Sequence, residues 1–177
     1  MELIEACISI AEGPFPNERA FLDLLDEIES EFGVTIQAFD ARYVVSRRHI
    51  ERAVELADRE RGRGNSIVRD RGLEILLYAA GRRQIDRALE MGVSETTERL
   101  VVLVDATTDS NSTAKSGNES AASTVLLEPL TPANVIGEYD ESLLREFYDI
   151  GQMELDATGA DLEALVLERV ALLVVER

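Results

Sequence analysis

The sequence predicts an α/β (α+β) protein. Short β-rich runs at 2–11, 34–39 and 100–104 indicate strands, and the segments between and after them carry apolar residues at helical spacing. Of the 177 residues, 45% are apolar, which is enough for one hydrophobic core. We therefore expect a single domain over residues 1–177.

Breakers and caps delimit the first helices. The run Gly-Pro-Phe-Pro at 13–16 ends the first strand, Asn17 is the expected N-cap of the next helix, and Gly33 ends that helix. Ser46 is the expected cap of a second helix. Its predicted buried stripe is Ile50, Ala53, Val54 and Ala57.

The helix predicted at 71–80 is apolar nearly all round, so it is either buried or covered by a partner. A short helix follows it and stops at Gly92. Residues 107–123 are small, polar and without periodicity, which predicts a disordered loop insertion. A strand at 125–127 and helices at 140–148 and 161–175 complete the chain.

Acidic residues dominate the charge. There are 35 acids against 18 bases, a net charge of −17, and Lys115 is the only lysine. Such a surface repels itself in dilute buffer and is screened in strong salt, so we expect a salt-adapted cytoplasm. The alternative is an ordinary acidic protein, which the near-absence of lysine disfavours. The start of the chain does not have the pattern of a signal peptide, and no apolar run is long enough to span a membrane. Cys7 is the only cysteine, which excludes an internal disulfide and a cysteine-based zinc cage.

One segment reverses this charge. Residues 42–87 hold twelve arginines and seven acids, an excess of five positive charges on an acidic chain. A local basic island suggests an anionic partner. The alternative is that these arginines are helix-surface residues paired with acids four positions away, such as Glu55 with Arg59.

The search for catalytic motifs gives little. His49 is the only histidine, and the chain has no nucleophile elbow, Walker loop, dinucleotide fingerprint or zinc motif. Asp40 and Asp105 stand at predicted strand ends, where turn capping is the simpler interpretation. We therefore expect no catalytic residues, no cofactor and no metal. If the chain were an enzyme, Asp40, His49 and Tyr78 would be the first suspects.

One constellation is more specific. Asp40-Ala41-Arg42-Tyr43-Val44-Val45 follows a strand, and a basic glycine turn with Asn65 precedes the string Glu74-Ile75-Leu76-Leu77-Tyr78-Ala79-Ala80-Gly81-Arg82-Arg83-Gln84-Ile85. This combination resembles the kinase-binding subunit of the KEOPS complex, the PRPK-binding protein family. The segment 168–173 resembles the final helix of that family. The resemblance covers nearly the whole chain except 107–123.

The resemblance implies a small mixed sheet flanked by helices and a non-catalytic role. The subunit would bind the kinase-like ATPase of KEOPS, which makes threonylcarbamoyladenosine in tRNA, and would meet the threonylcarbamoyl transferase subunit only indirectly. It would also grip the single-stranded acceptor end of tRNA.

Two sets of residues are the candidates for these roles. The expected tRNA-binding residues are Arg63, Asn65, Arg69, Arg71, Arg82, Arg83 and Gln84, since arginine can both bind phosphate and stack on a base. The expected kinase-binding residues are Ile75, Tyr78, Leu165, Arg169, Leu172 and Leu173. Simple core packing is the alternative for each apolar member. A small-molecule-binding or hydrolytic enzyme and a dimerisation module stay open as other functions.

Overall fold

A computed structural model describes residues 1–9, 13–106 and 118–175. In chain order the elements are β1 (Glu2–Cys7), α1 (Glu18–Phe32), β2 (Val34–Asp40), a 3-10 turn (Ala41–Tyr43), α2 (Arg47–Gly62), α3 (Arg71–Ala80), α4 (Ile85–Leu89), β3 (Arg99–Ala106), α5 (Asn118–Leu127), β4 (Thr131–Pro132), α6 (Glu141–Phe147), α7 (Gln152–Thr158) and α8 (Leu162–Leu172). The α+β class is thus confirmed.

The chain divides into two compact units. The first comprises 1–40 and 93–135, and the second comprises 41–92 and 136–177. The single domain over 1–177 stays a prediction.

The first unit contains a four-stranded sheet in the order β2-β3-β1-β4. Every strand pair in it is antiparallel, whereas the resemblance implied a mixed sheet. The reason is the position of β3, which runs opposite to both β1 and β2 and lies between them. Strands β1 and β2, which share a direction, are therefore not neighbours, and β1 separates β3 from β4 in the same way.

Helix α1 packs on this sheet as its sequence predicts. The side chain of Asn17 accepts a hydrogen bond from the amide of Ala20 at 2.9 Å, and Gly33 ends the helix in the left-handed conformation. Its buried side chains belong to the same core as alternate residues of β1 and β3. The members of this core that come from these elements are Phe21, Leu25, Ile28, Ile4, Ala6, Leu100, Val102 and Val104.

Two expectations from the sequence are wrong at α5. Residues 118–123, predicted as part of a disordered insertion, and 125–127, predicted as a strand, form one continuous helix. Tertiary contacts stabilise it: Ala122 and Leu126 are buried in the core, and the Asn118 side chain donates to the Phe32 carbonyl at 2.6 Å. Packing decides the conformation of such a short apolar run. The rest of the predicted insertion, 107–117, lies outside the described residues.

The second unit is built around α3. All ten residues of α3 except Leu73 are buried, and the helix packs against α2, α4 and α8. The apolar faces of α3 are therefore buried against other helices of its own unit. In the second helix, Ser46 caps α2 and the predicted stripe is buried.

Two small elements were not predicted, namely β4 and α7. Helix α7 has no buried residue, so it lacks the apolar stripe that reveals a helix in a sequence. None of the helices in the described ranges is long and apolar enough to cross a membrane.

Candidate binding clefts

The predicted tRNA-binding residues fall at opposite ends of α3. Arg71 begins this ten-residue helix, and Arg82 follows its last turn. At a rise of about 1.5 Å per residue, the two ends are about 15 Å apart. The basic island is therefore two separate groups rather than one patch.

The group at the start of α3 is held together by Arg61, which the sequence did not single out. Its guanidinium donates to Glu74 Oε2 at 2.8 Å and to the Arg69 carbonyl at 2.5 Å. Glu74 is fully buried, and its other oxygen accepts from the amide of Ile67 at 3.0 Å. This ion pair fixes the loop between α2 and α3. A buried acid thirteen residues from an arginine is not a pattern that sequence periodicity reveals.

Arg71 serves the fold rather than a surface. Only 7% of it is exposed, and its Nε and Nη2 bind the two oxygens of Asp58 at 2.8 and 2.7 Å. This bidentate pair joins α3 to α2. The expectation that Arg71 contacts tRNA stays a prediction, and such a contact would require its guanidinium to leave Asp58.

Arg63, Asn65 and Arg69 remain at the surface of the same loop. Arg63 and Asn65 donate to the two oxygens of Glu60 at 2.8 and 2.9 Å. Hydrogen bonds from Asn65, and then from Arg63, hold the pKa of Glu60 below its usual range. The carboxylate thus stays ionised and neutralises part of the positive charge of the loop.

A cleft of about 370 Å³ lies at the other end of α3, and we call it the arginine cleft. Its lining consists of Gly81, Arg82, Arg83, Gln84, Tyr148, Asp149, Arg169 and Leu172. It brings together three predicted tRNA-binding residues and two predicted kinase-binding residues, Arg169 and Leu172. The predicted sites therefore overlap here.

Glycine at position 81 permits the close contact between α3 and α8. Gly81 has φ of +60°, and a Cβ added to it would lie 3.0 Å from the carbonyl oxygen of Arg169. Its amide donates to the Tyr78 carbonyl and that of Arg82 donates to the Leu77 carbonyl, which is a Schellman motif. The chain therefore turns sharply into Arg82 and Arg83 directly beside α8.

Three arginines give the arginine cleft its positive charge. Arg82 Nη2 donates to Asp149 Oδ2 at 2.7 Å and to the Phe147 carbonyl at 2.6 Å. Arg169 Nη2 donates to both oxygens of Glu154, at 2.8 and 2.9 Å. Arg83 is exposed and bonds only the Leu173 carbonyl, at 3.4 Å; no carboxylate of the described chain pairs with it. It is the cation most available to an anionic ligand.

A buried hydrogen-bonded group lies next to the arginine cleft, and Tyr148 belongs to both. The hydroxyl of Tyr148 donates to the Ala79 carbonyl at 2.7 Å and lies 3.2 Å from His49 Nε2, which itself lies 2.9 Å from the Ala79 carbonyl. Burial lowers the pKa of His49 to about 4, and burial also raises the pKa of Tyr148. Both side chains are therefore neutral near pH 7, and they tie the α6–α7 turn to α2 and α3.

Most of the predicted kinase-binding residues belong to the core. Ile75, Tyr78, Leu165 and Leu173 are each at most 2% exposed, so the alternative of core packing accounts for them. A partner cannot touch these side chains in this conformation. Leu172 is different, because 38% of it is exposed.

The outer face of α8 offers another apolar surface. Together with α2 it borders a groove of about 570 Å³, which we call the α2–α8 groove. Its lining consists of Arg48, Glu51, Arg52, Glu55, Ala164, Leu167, Glu168 and Ala171. Apolar residues of α8 beside charged residues of α2 suit a docked amphipathic helix. The apolar stripe of the sequence indicates the buried side of α8 and misses Ala164, Leu167 and Ala171. A helical-wheel count of the outer face of α8 would have found these three residues.

The residues suspected of catalysis, Asp40, His49 and Tyr78, are all buried. Asp40 accepts a hydrogen bond from Thr97 at 2.8 Å, and Tyr78 is only 2% exposed. Neither they nor His49 line the two clefts described above. Asp105 is partly buried at the end of β3. Among the described residues, no three side chains of His, Cys, Asp or Glu are grouped so that they could hold a metal ion.

The sequence also matches a known protein family. A family model described as kinase binding protein CGI-121 matches residues 17–173, which include both clefts. The curated proteins contain no match to the chain. Because the family model spans most of the sequence, the chain belongs to the kinase binding protein CGI-121 family.

Proposed function

We propose that this protein is a non-catalytic accessory subunit of the KEOPS tRNA-modification complex. It binds and regulates the kinase-like ATPase subunit and helps to recruit tRNA through the single-stranded acceptor end. Membership in the kinase binding protein CGI-121 family suggests the kinase-binding part and is the observation that carries the proposal. The resemblance of the string at 74–85 to the KEOPS subunit supports the remainder.

The α2–α8 groove is the surface that we assign to the kinase-like subunit. Ala164, Leu167 and Ala171 form a shallow apolar floor, which a partner helix can cover. Arg48 and Glu168 line the same groove and can orient a partner, since charges across an interface contribute more to specificity than to affinity. Leu172 extends this apolar surface towards the arginine cleft.

The arginine cleft is the surface that we assign to the acceptor end of tRNA. Single-stranded RNA is bound by arginine contacts to phosphate, by stacking and by hydrogen bonds to splayed bases. Arg83 and Gln84 are exposed there, and Leu172 offers an apolar contact for a base. In strong salt the release of counterions contributes little, so such a shaped cleft matters more than net attraction.

Co-purification tests the kinase assignment. Ala171→Glu places a charge in the α2–α8 groove, and we expect the native mass of the complex with the kinase-like subunit to disappear. Met153→Glu is the matched control, because Met153 is 84% exposed and lies outside both clefts. Circular dichroism must show both variants folded. If Ala171→Glu still forms the complex, the groove is not the docking surface.

The native mass also distinguishes the accessory role from a dimerisation module. A chain that forms only homodimers, and loses them in Ala171→Glu, would be a dimerisation module. A chain that ignores the kinase-like subunit in molar potassium chloride would refute the accessory role.

Charge reversal at Arg83 tests the tRNA assignment. Arg83→Glu should lower the affinity for a tRNA transcript about tenfold or more, since it replaces an attraction by a repulsion at one phosphate. Arg19→Glu on α1 is the control, because it changes the net charge equally and Arg19 belongs to the other unit. Equal losses in both variants would show a nonspecific charge effect and count against the site.

A further inference from the structure

The second residue after α6 has an unusual backbone conformation. Asp149 has φ of 53° and is the one non-glycine residue with positive φ in the described chain. Its amide donates to the Glu146 carbonyl, and that of Ile150 donates to the Arg145 carbonyl, which is again a Schellman motif. At the corresponding position, α1, α3 and α7 each have glycine.

The backbone alone does not explain an aspartate here, because glycine adopts this conformation without steric cost. The side chain does have a specific contact: its Oδ2 lies 2.7 Å from Arg82 Nη2. The carboxylate is nonetheless 75% exposed and lies in the lining of the arginine cleft. A carboxylate is therefore held on a cation in the lining of a cleft whose other charged residues are arginines.

We propose that Asp149 is an internal competitor for the anionic ligand of the arginine cleft. Its carboxylate occupies the guanidinium of Arg82 in the empty site, and a ligand phosphate displaces it on binding. This inference rests on the proposed function of the cleft. The Phe147 carbonyl keeps Arg82 in place during the exchange, since it accepts from the same Nη2 atom independently of Asp149.

Such a competitor selects among anions. A small anion that displaces Asp149 exchanges one contact to Arg82 for another and gains little. A polynucleotide gains further contacts with Arg83 and Gln84, which line the same cleft. The displaced carboxylate is well exposed, so it returns to water at small cost. The arrangement therefore favours a ligand with several anionic and polar groups over free anions in strong salt.

Affinity measurements on Asp149→Asn test this proposal. Asparagine tolerates positive φ, so the turn is kept while the charge is removed. We expect a tRNA transcript to bind about three to five times more tightly, which corresponds to the loss of one exposed ion-pair competitor. Asp156→Asn on α7 is the control, because Asp156 is also exposed and its loss changes the net charge equally. Its affinity should stay near that of the unaltered protein.

Two further arms make the result specific. The gain should vanish when the single-stranded acceptor end is removed from the transcript, and it should vanish in the double variant Asp149→Asn with Arg82→Gln. If the unaltered protein binds tRNA but Asp149→Asn binds no better than Asp156→Asn, the competitor role is refuted and the proposed function stands. If the unaltered protein binds tRNA equally with and without the acceptor end, the proposed function of the cleft is itself refuted, and the competitor role with it.

Discussion

Replacing Gly81 by alanine tests how closely α3 must approach α8. The added Cβ would lie 3.0 Å from the Arg169 carbonyl oxygen and 3.1 Å from the carbonyl carbon. Both atoms belong to the backbone of a packed helix, so neither can rotate away. The residue also needs φ of +60°, which alanine adopts only with strain.

The expected cost is the sum of these two effects. Left-handed backbone costs a non-glycine residue about 1–2 kcal/mol. Overpacking against α8 adds about 1–3 kcal/mol, because the helices must separate by a few tenths of an ångström. Alanine also restricts the unfolded chain, which returns about 0.4–1 kcal/mol. We therefore expect the free energy of unfolding to fall by about 3 kcal/mol.

Two other glycines isolate the contact from the backbone strain. Gly33 and Gly159 have φ of +64° and +62°, but an added Cβ would meet nothing within 4 Å. Alanine at either position should lower the free energy of unfolding by about 1 kcal/mol. Gly159 lies in the same unit as Gly81, so the comparison does not depend on whether the two units unfold together.

Urea denaturation in molar potassium chloride, followed by circular dichroism, measures all three variants. The difference between Gly81→Ala and Gly159→Ala is the energy of the helix contact. If the three variants lose equal stability, the α3–α8 contact is not as tight as described, and the explanation of Gly81 is wrong. A Gly81→Ala protein that folds should also bind tRNA more weakly, because Arg169 moves with α8.

Three other perturbations have calculable outcomes. The pKa of His49 is about 4 in the folded protein and about 6.5 in the unfolded chain. The contribution of His49 to the free energy of unfolding is therefore complete above pH 6.5 and falls by up to about 3 kcal/mol as the pH drops towards 4. Urea denaturation of His49→Gln at several pH values between about 4.5 and 7 should lack this pH dependence. Arg71→Met should lower the free energy of unfolding by about 1–3 kcal/mol, because it breaks the pair with Asp58, and should leave the tRNA affinity within twofold. A large loss of tRNA affinity in a variant that remains stable would show that Arg71 belongs to the binding site. The midpoint of thermal unfolding should rise as potassium chloride increases from millimolar to molar, because salt screens the net charge of −17; an unchanged midpoint would refute salt adaptation.

Local signals predicted the elements well. Asn17, Ser46 and Gly33 cap helices as expected, and the range of α3 is correct to the residue, because a cap and a left-handed glycine define helix ends within a few positions. The sequence could not distinguish a helix from a strand at 125–127, since three apolar residues have no measurable period.

The candidate sites were harder to predict because surface and core share the same residue types. Arg71 and Arg83 are both arginines within a basic island, yet Asp58 binds one and no carboxylate of the described chain binds the other. Leu172 and Leu173 are neighbours in sequence, but one is exposed and the other is buried. Those distinctions depend on long-range packing, which no local pattern encodes.

The contacts of Arg61 bear on the shortage of lysine in the chain. Its planar guanidinium reaches the carbonyl of Arg69 and the carboxylate of Glu74 through two different nitrogens, and Arg71 grips both oxygens of Asp58 in the same way. A lysine ammonium is a single point charge and cannot reproduce either fork. At these positions the choice of arginine is a matter of shape. At Arg61 and Arg71, therefore, the geometry of the fold favours arginine over lysine whatever the salt concentration of the solvent.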